Sequence, residues 1–332
     1  MRSDPFCSAG SDFYIIETDG SYYRCYSERL HDVRPIGNIV FDDDFKAIEP
    51  RKSRCPYAMQ CAAGDRVSCD YGATVRYDED SSPPSCGPSY PFVPATSLDG
   101  MADQRHAQVF WHLSRLCNFA CVYCNEPYSA SNDTVEAHDA DPSRLVEVID
   151  KMARRFNKIK INLTGGECTR HPAFLDICTA INLRQDIFEL CILSNMSNRR
   201  KLDAVFSMDW NPGRISFWAS CHFSDPRFDL YDFTDSCIAA SRCGKVDVST
   251  VDHQHESRFY PLYRAAMKKL GLRARHWHMY YESSRARTSK FVKDFEPKSL
   301  GEVLMILGVS SKDEIQDMIN EERKEIQKVG IT

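Results

Sequence analysis

The sequence contains no long apolar run, no strong excess of one charge and no apolar segment at its N-terminus. No hydrophobic stretch approaches the ~20 residues that a membrane-spanning helix needs. The formal net charge of the 332 residues is −5, with both signs spread along the chain, so nothing indicates nucleic acid or an anionic membrane as a partner. The first residues, Met1 to Phe6, show no signal-peptide pattern. These absences predict a soluble, cytoplasmic protein.

Cysteine, by contrast, is abundant, with fifteen residues. In a cytoplasmic protein, metal binding or redox chemistry is a better explanation than disulfides. Three of the thiols, Cys117, Cys121 and Cys124, lie so close in sequence that one loop can point their sulfurs at a common centre. A structural zinc site takes four ligands, usually as two pairs. Three thiolates instead suit a 4Fe–4S cluster in which one iron is open to a non-protein ligand.

Strand and helix patterns alternate between residues 101 and 295. Strands are predicted at 106–113, 158–163, 188–193, 214–219, 246–251 and 275–280. Helices are predicted between them at 142–156, 173–183, 199–206, 228–241 and 259–270. Such alternation predicts an α/β fold with a parallel sheet and helices on its back, and reactive residues lie at the carboxyl ends of such strands.

Polar motifs follow the second, third and fourth of these strands: Gly165-Gly166-Glu167, Ser194-Asn195 and Ser220-Cys221-His222. Paired glycines let a backbone approach a ligand closely. Polar groups after the third strand fit ribose or carboxylate contacts, although Ser-Asn alone is an ordinary turn. Histidine has a free pKa near neutrality, so His222 is a candidate acid/base.

The three-cysteine loop and the Gly-Gly-Glu motif one strand–helix unit later resemble the radical SAM superfamily. The resemblance implies a partial (β/α)6 barrel over residues 101–295. In it, the cluster on Cys117, Cys121 and Cys124 binds S-adenosylmethionine and splits it to a 5′-deoxyadenosyl radical. The resemblance also implies cofactor contacts for Tyr123, Gly165, Gly166, Glu167, Ser194, Asn195 and Ser220. His222 would act as acid/base or hold substrate, and Cys221 would donate a hydrogen atom, with simple packing as the alternative for both.

Residues 1–100 contain a hairpin signal and spaced cysteines. Two β-like pieces flank Asp19-Gly20, which is typical of a hairpin turn. With that turn, the spacing of Cys7 and Cys25 resembles the SPASM and twitch modules of radical SAM enzymes. The resemblance implies one auxiliary 4Fe–4S cluster on Cys7, Cys25, Cys55 and Cys61, with Cys69 as the substitute. The module here precedes the core instead of following it, as in a circular permutation; a structural zinc site on the same cysteines is the alternative.

Residues 296–332 predict a C-terminal helical extension. Ser311 and Glu314 form a capping-box pattern. The extension would either cover an open sheet edge or mediate dimerisation.

These features together predict a radical SAM oxidoreductase or epimerase. Its substrate would be a small molecule, a sugar-like molecule or a peptide, and its reductant a protein such as flavodoxin or ferredoxin. Two alternatives remain: an electron carrier with two iron–sulfur clusters, and a zinc-stapled binding protein without catalysis.

Overall fold

The computed structural model describes residues 6–7, 13–24, 34–46, 75–76, 106–121, 124, 142–223, 225, 227–252, 260–272, 277–281, 299–308 and 311–328. The chain divides into two compact units, each assembled from separate stretches of sequence. Unit 1 comprises Met1–Ser114, Thr134–Gly165 and His171–Cys191. Unit 2 comprises Arg115–Asp133, Gly166–Arg170 and Ile192–Thr332.

Eleven strands and seven α-helices lie within the described residues. The strands are β1 (Phe6–Cys7), β2 (Phe13–Ile16), β3 (Ser21–Tyr23), β4 (Gly37–Asn38), β5 (Val75–Arg76), β6 (His106–Ser114), β7 (Lys158–Gly165), β8 (Ile187–Ser194), β9 (Ile215–Cys221), β10 (Lys245–Asp252) and β11 (Trp277–Tyr281). The α-helices are α1 (Pro142–Arg155), α2 (Phe174–Asn182), α3 (Arg199–Phe206), α4 (Leu230–Ala240), α5 (Tyr260–Lys269), α6 (Ser299–Leu307) and α7 (Lys312–Lys328).

Unit 1 joins the N-terminal hairpin to the first strand of the predicted core. β2 and β3 pair antiparallel, with Ile15 opposite Tyr23, which confirms the hairpin. Gly20 in its turn has a φ of +82°, a conformation that glycine adopts without a steric penalty. β2 also pairs in parallel with β6, and β6 pairs in parallel with β7. The predicted domain boundary near residue 100 falls at 77–105, outside the described residues.

An aromatic cluster holds the segment after β4 against α1 in unit 1. The ring of Phe45 stacks on Tyr22 with centroids 4.6 Å apart and meets Phe156 edge-on at 5.5 Å. Such aromatic pairs contribute about 0.5–1.5 kcal/mol beyond the burial of their surface. The buried Lys151 of α1 donates from Nζ to the carbonyl oxygen of Ile39 at 3.0 Å. The N-terminal segment is therefore part of the core of this unit.

Unit 2 contains a parallel sheet in the order β9, β10, β11. Helix α4 packs on β9 and β10. Side chains along a strand point alternately to opposite faces. The ring of Phe217 lies 5.4 Å from that of Phe206 in α3, so its face of β9 is turned toward the helices. Ser216, Trp218 and Ser220 lie on the opposite face, which we call the inner face.

The C-terminal extension packs on the helices of unit 2. Helix α6 contacts α4 and α5, and α7 contacts α5. Glu322 of α7 accepts hydrogen bonds from Arg264 at 2.8 Å and Lys268 at 2.9 Å. The capping box is confirmed, because the Ser311 hydroxyl accepts from the Glu314 amide and the Glu314 carboxylate accepts from the Ser311 amide, both at 3.2 Å.

The predicted alternation of six strands and five helices is confirmed as β6–β11 and α1–α5. The bounds differ by a few residues; β7, for example, runs on to Gly165 because that residue still pairs with Ser114. The pairings among β6 and β7, and among β9, β10 and β11, are parallel, as expected of an α/β fold. Closure into a barrel stays a prediction. Among the described helices, none has the length and apolarity to cross a membrane.

Candidate active site

The three-cysteine loop follows β6 and belongs to unit 2. Cys117 and Cys121 are half-buried and Cys124 is exposed. The amide of Cys124 donates to the carbonyl of Cys121 at 3.1 Å, so a hydrogen bond joins the backbones of these two cysteines. The Cys117 Sγ accepts the amide N–H of Phe119 at 3.4 Å.

Burial raises the pKa of the Cys117 thiol to about 11, against the opposing effect of the Phe119 amide. Only thiolates bind metal, so a bound metal must displace a proton from this residue. Metal loading at Cys117 therefore depends on pH.

The two glycines after β7 allow the backbone to pass close to the residues that lead into the cysteine loop. Gly165 has a φ of +123°, and a Cβ there would lie 2.3 Å from the carbonyl oxygen of Ser114. A Cβ on Gly166 would lie 2.5 Å from the carbonyl oxygen of Leu116. Real Cβ contacts are not this short, so glycine at both positions has a packing reason in addition to any approach of a ligand.

Glu167 is 1% exposed and receives four hydrogen bonds from the chain. Its Oε1 accepts from the Thr169 amide at 3.2 Å, the Thr169 hydroxyl at 2.6 Å and the Ser194 hydroxyl at 2.9 Å. Its Oε2 accepts from the Asn195 amide at 2.7 Å. The pKa of this carboxyl is raised, because burial outweighs the opposing effect of these hydrogen bonds. Glu167 thus fastens the loop after β7 to the loop after β8.

The Ser194-Asn195 turn is buried beside Glu167 and also contacts the cysteine loop. The Asn195 side-chain amide donates to Asn118 Oδ1 at 3.0 Å, and Asn118 in turn donates to the Ser197 hydroxyl at 2.7 Å. The turn contains Met196, which has a φ of +60°. Such a φ is uncommon for a residue other than glycine. These contacts hold Asn118, the first of the three residues between Cys117 and Cys121.

At the end of β9, the side chains of Ser220 and Cys221 lie on opposite faces of the strand. Ser220 lies on the inner face, 3.4 Å from the hydroxyl of Ser249 in β10. Cys221 lies four residues after Phe217, so its side chain points to the same, helix-facing side of β9, where it is fully buried. The two residues therefore do not share a face, and the role of Cys221 as hydrogen-atom donor stays a prediction.

His222 packs against the cysteine loop. Its ring meets Phe119 edge-on, with centroids 5.8 Å apart and an interplanar angle of 89°. Burial lowers the pKa of His222 to about 4, although the charge of Asp225 acts in the opposite direction. The imidazole is therefore neutral at pH 7. It can accept a proton from a substrate, but it is not charged beforehand.

The sequence reasoning missed Asp225 and Arg227 in the loop after β9. The fully buried Asp225 carboxylate accepts the backbone amide of Ala120, in the middle of the cysteine loop. Arg227 donates to both of its oxygens, from Nε at 2.9 Å and from Nη2 at 2.8 Å. The guanidinium carbon of Arg227 lies 5.7 Å from the centroid of the Phe119 ring. No local pattern connects these residues to the cysteine loop, because Ala120 and Phe119 are distant from them in sequence.

Of the predicted site residues, unit 2 contains Cys117, Cys121, Cys124, Gly166, Glu167, Ser194, Asn195, Ser220 and His222. Gly165, the last residue of β7, belongs to unit 1. Tyr123 lies outside the described residues, as do Cys25, Cys55, Cys61, Cys69 and the side chain of Cys7. Among the described side chains, no three of His, Cys, Asp or Glu converge closely enough to hold a single metal ion.

The sequence model of the radical SAM superfamily matches residues 111–216. The match covers about a third of the chain, so it shows a likeness to the superfamily over this stretch alone. The match runs from β6 to the start of β9 and includes the three-cysteine loop, the Gly-Gly-Glu motif and the Ser-Asn turn. It supports the family resemblance for these residues.

No curated protein matches the chain. One similar solved structure is that of Streptococcus suis SuiB bound to the precursor peptide SuiA. The two chains are 12% identical with a TM-score of 0.42, over 65% of this chain and 46% of SuiB. The chain thus matches less than half the length of that protein.

Proposed function

We propose that the chain is a radical SAM enzyme whose core spans residues 101–295. The observation that carries the proposal is the anchoring of all three residues between Cys117 and Cys121. Asn118 is held by the turn after β8, Phe119 packs on His222, and the Ala120 amide is held by Asp225. Loops after two neighbouring strands along the chain therefore fix the geometry of one cysteine loop. A loop that presents thiols to a cluster needs such rigidity.

The residues present fit a 4Fe–4S cluster with one iron open. Three thiols on one loop are its usual protein ligands, and Cys117 already accepts an amide hydrogen bond, as cluster sulfurs commonly do. When bound, the cluster and S-adenosylmethionine supply a radical that abstracts hydrogen from an unactivated C–H bond. The protein binds, orients and shields the reacting groups.

Cofactor contacts are proposed for Tyr123, Gly165, Gly166, Glu167, Ser194, Asn195 and Ser220. The buried Glu167 carboxyl supports this by placing hydrogen-bond acceptors close to the loop, where the ammonium of the cofactor is expected. Its four hydrogen bonds fix its position before any ligand arrives. A preorganised acceptor of this kind is more effective than one that must move into place.

The substrate is proposed to meet the inner face of β9 and β10. Opposite residues on this face are polar or aromatic: Ser220 with Ser249, and Trp218 with Asp247. A hydrogen-bonding substrate matches such a lining, which is compatible with a small molecule, a sugar-like molecule or a peptide. His222, neutral at pH 7, would accept a proton or hold this substrate.

Three finer assignments complete the proposal. Residues 1–100 would carry an auxiliary 4Fe–4S cluster on Cys7, Cys25, Cys55 and Cys61, and residues 296–332 would form a helical extension. The electron would come from a protein reductant such as flavodoxin or ferredoxin in the cytoplasm. The overall reaction would be an oxidation or an epimerisation.

Anaerobic reconstitution with iron and sulfide, followed by reduction in the presence of S-adenosylmethionine, tests the proposal. We expect about eight irons per chain, or about four if the auxiliary site is absent. We also expect release of 5′-deoxyadenosine, measured by mass spectrometry. Alanine at Cys117, Cys121 and Cys124 together should remove about four irons and abolish this release.

Cys243→Ala is the matched control, because Cys243 is also half-buried in unit 2 but lies in the turn after α4. It should retain iron and deoxyadenosine release. Zinc in place of iron would overturn the proposal. Bound clusters without deoxyadenosine release would favour an electron carrier.

A further inference from the structure

The buried Asp225 connects the loop after β9 to the cysteine loop. Its side chain has no exposed surface and accepts hydrogen bonds from the Ala120 amide, the Arg227 amide and the Arg227 guanidinium. Burial alone would raise the pKa of Asp225, but these hydrogen bonds outweigh it and the pKa is lowered. The carboxylate is thus ionised, and it fixes both the backbone of the loop and the position of Arg227.

Arg227 places a positive charge beside the cysteines. Its guanidinium is held in two directions, by the fork-like contact with Asp225 and by the ring of Phe119. The Asp225 carboxylate raises the pKa of Arg227, and thiolate charge at Cys117 and Cys121 acts in the same direction. The guanidinium is therefore a permanent charge held against Phe119, which lies between Cys117 and Cys121 in the loop.

We propose that the charge of Arg227 raises the reduction potential of the cluster on the cysteine loop, and that Asp225 is the positioning residue that holds Arg227 in place. The inference rests on the proposed function, since it requires that cluster. Reduction adds one electron from an external donor, and the negative charge of the cluster and its three thiolates increases by one. A nearby positive charge stabilises the reduced form more than the oxidised form.

The size of the effect is limited by solvent. The Arg227 side chain is 42% exposed, so water and salt screen part of its charge. We expect its neutralisation to lower the ratio of reduced to oxidised cluster, at a fixed potential, by up to about tenfold. For a one-electron couple this corresponds to about 59 mV.

The test is a redox titration of the reconstituted protein with dithionite and mediators, followed by electron paramagnetic resonance. Arg227→Gln removes the charge but keeps donors for Asp225, and should lower the midpoint potential. Arg227→Lys keeps the charge, and its midpoint potential should stay close to that of the wild type. Arg199→Gln is the control, because Arg199 forms an exposed ion pair with Asp203 in α3, and it should leave the potential unchanged.

A second variant guards against misfolding, because Arg227→Gln leaves the buried Asp225 charge with fewer partners. The double variant Asp225→Asn with Arg227→Gln has no uncompensated buried charge, and its change in potential should be smaller than that of Arg227→Gln alone. Equal midpoint potentials in the wild type, in Arg227→Gln and in Arg227→Lys would overturn the inference while leaving the proposed function intact. A wild type that binds no cluster on this loop would instead overturn the proposed function.

Discussion

The backbone amide of Asn195 donates to Glu167 Oε2 at 2.7 Å, and this bond joins two loops of the candidate site. Both groups are buried. A backbone N–H can only donate, so its partner must offer an acceptor at this point. A side-chain acceptor is therefore structurally required here, whatever its contact with a cofactor.

Glu167→Gln is expected to destabilise the protein by about 1–3 kcal/mol, because one side-chain oxygen becomes an NH₂ group that faces donors. The free energy of unfolding, measured by urea denaturation, checks this. Glu321→Gln on the exposed surface of α7 is the matched control and should change stability by less than about 0.5 kcal/mol. Equal stability of both variants and the wild type would show that the four hydrogen bonds to Glu167 contribute nothing to the free energy of unfolding.

Gly166→Ala is expected to displace the cysteine loop. The new Cβ would lie 2.5 Å from the Leu116 carbonyl oxygen, so backbone must move. We expect a loss of stability of about 1–3 kcal/mol and a lower iron content after reconstitution. Gly213→Ala provides the control, since Gly213 has a φ of +81° but nothing within 4 Å of its Cβ. It should lose about 1 kcal/mol through backbone strain alone and keep its iron. Full iron loading of Gly166→Ala would contradict the packing argument.

The elements of the core could be predicted from the sequence because their signals are local. The helix α3 has the predicted bounds, and the capping box at Ser311 and Glu314 forms as its pattern indicates. The cysteine loop and the Gly-Gly-Glu motif were also visible, since each is a continuous stretch. A functional motif made of neighbouring residues can be recognised without a structure.

The contacts that complete the site could not be predicted, because they depend on tertiary structure. Asp225 lies 105 residues after its partner Ala120, and nothing in the sequence distinguishes it from an ordinary turn residue. The lowered pKa of His222 has the same origin, since burial is a property of the fold. The predicted strand ends at residue 219, so the assignment of Ser220 and Cys221 to opposite faces also comes from the structure, in which β9 runs to Cys221.

His222 should make stability depend on pH in a defined window. Its pKa is about 4 in the folded protein against an ordinary value of 6.5. The unfolded chain therefore binds more protons between these values, and stability is lost as the pH falls from about 6.5 to about 4. The drop in unfolding free energy from pH 7 to pH 5 should be smaller in His222→Gln by about 1–2 kcal/mol. Identical pH dependence in the two proteins would mean that His222 is solvated as in the unfolded chain.

Cys221→Ala separates packing from catalysis at the end of β9. The thiol is fully buried and lies on the same face of β9 as Phe217. Its loss leaves a small cavity and should destabilise the protein by about 1–2 kcal/mol. A buried thiol on the helix-facing side is not placed to meet a substrate on the inner face, and we expect turnover to continue. The measurement is deuterium incorporation into product in deuterated buffer, read by mass spectrometry beside deoxyadenosine release. Cys237→Ala, a buried cysteine in α4, is the control for lost packing. If Cys221→Ala alone stops deuterium incorporation while deoxyadenosine is still released, Cys221 is the hydrogen-atom donor and the strand must turn it toward the substrate during the reaction.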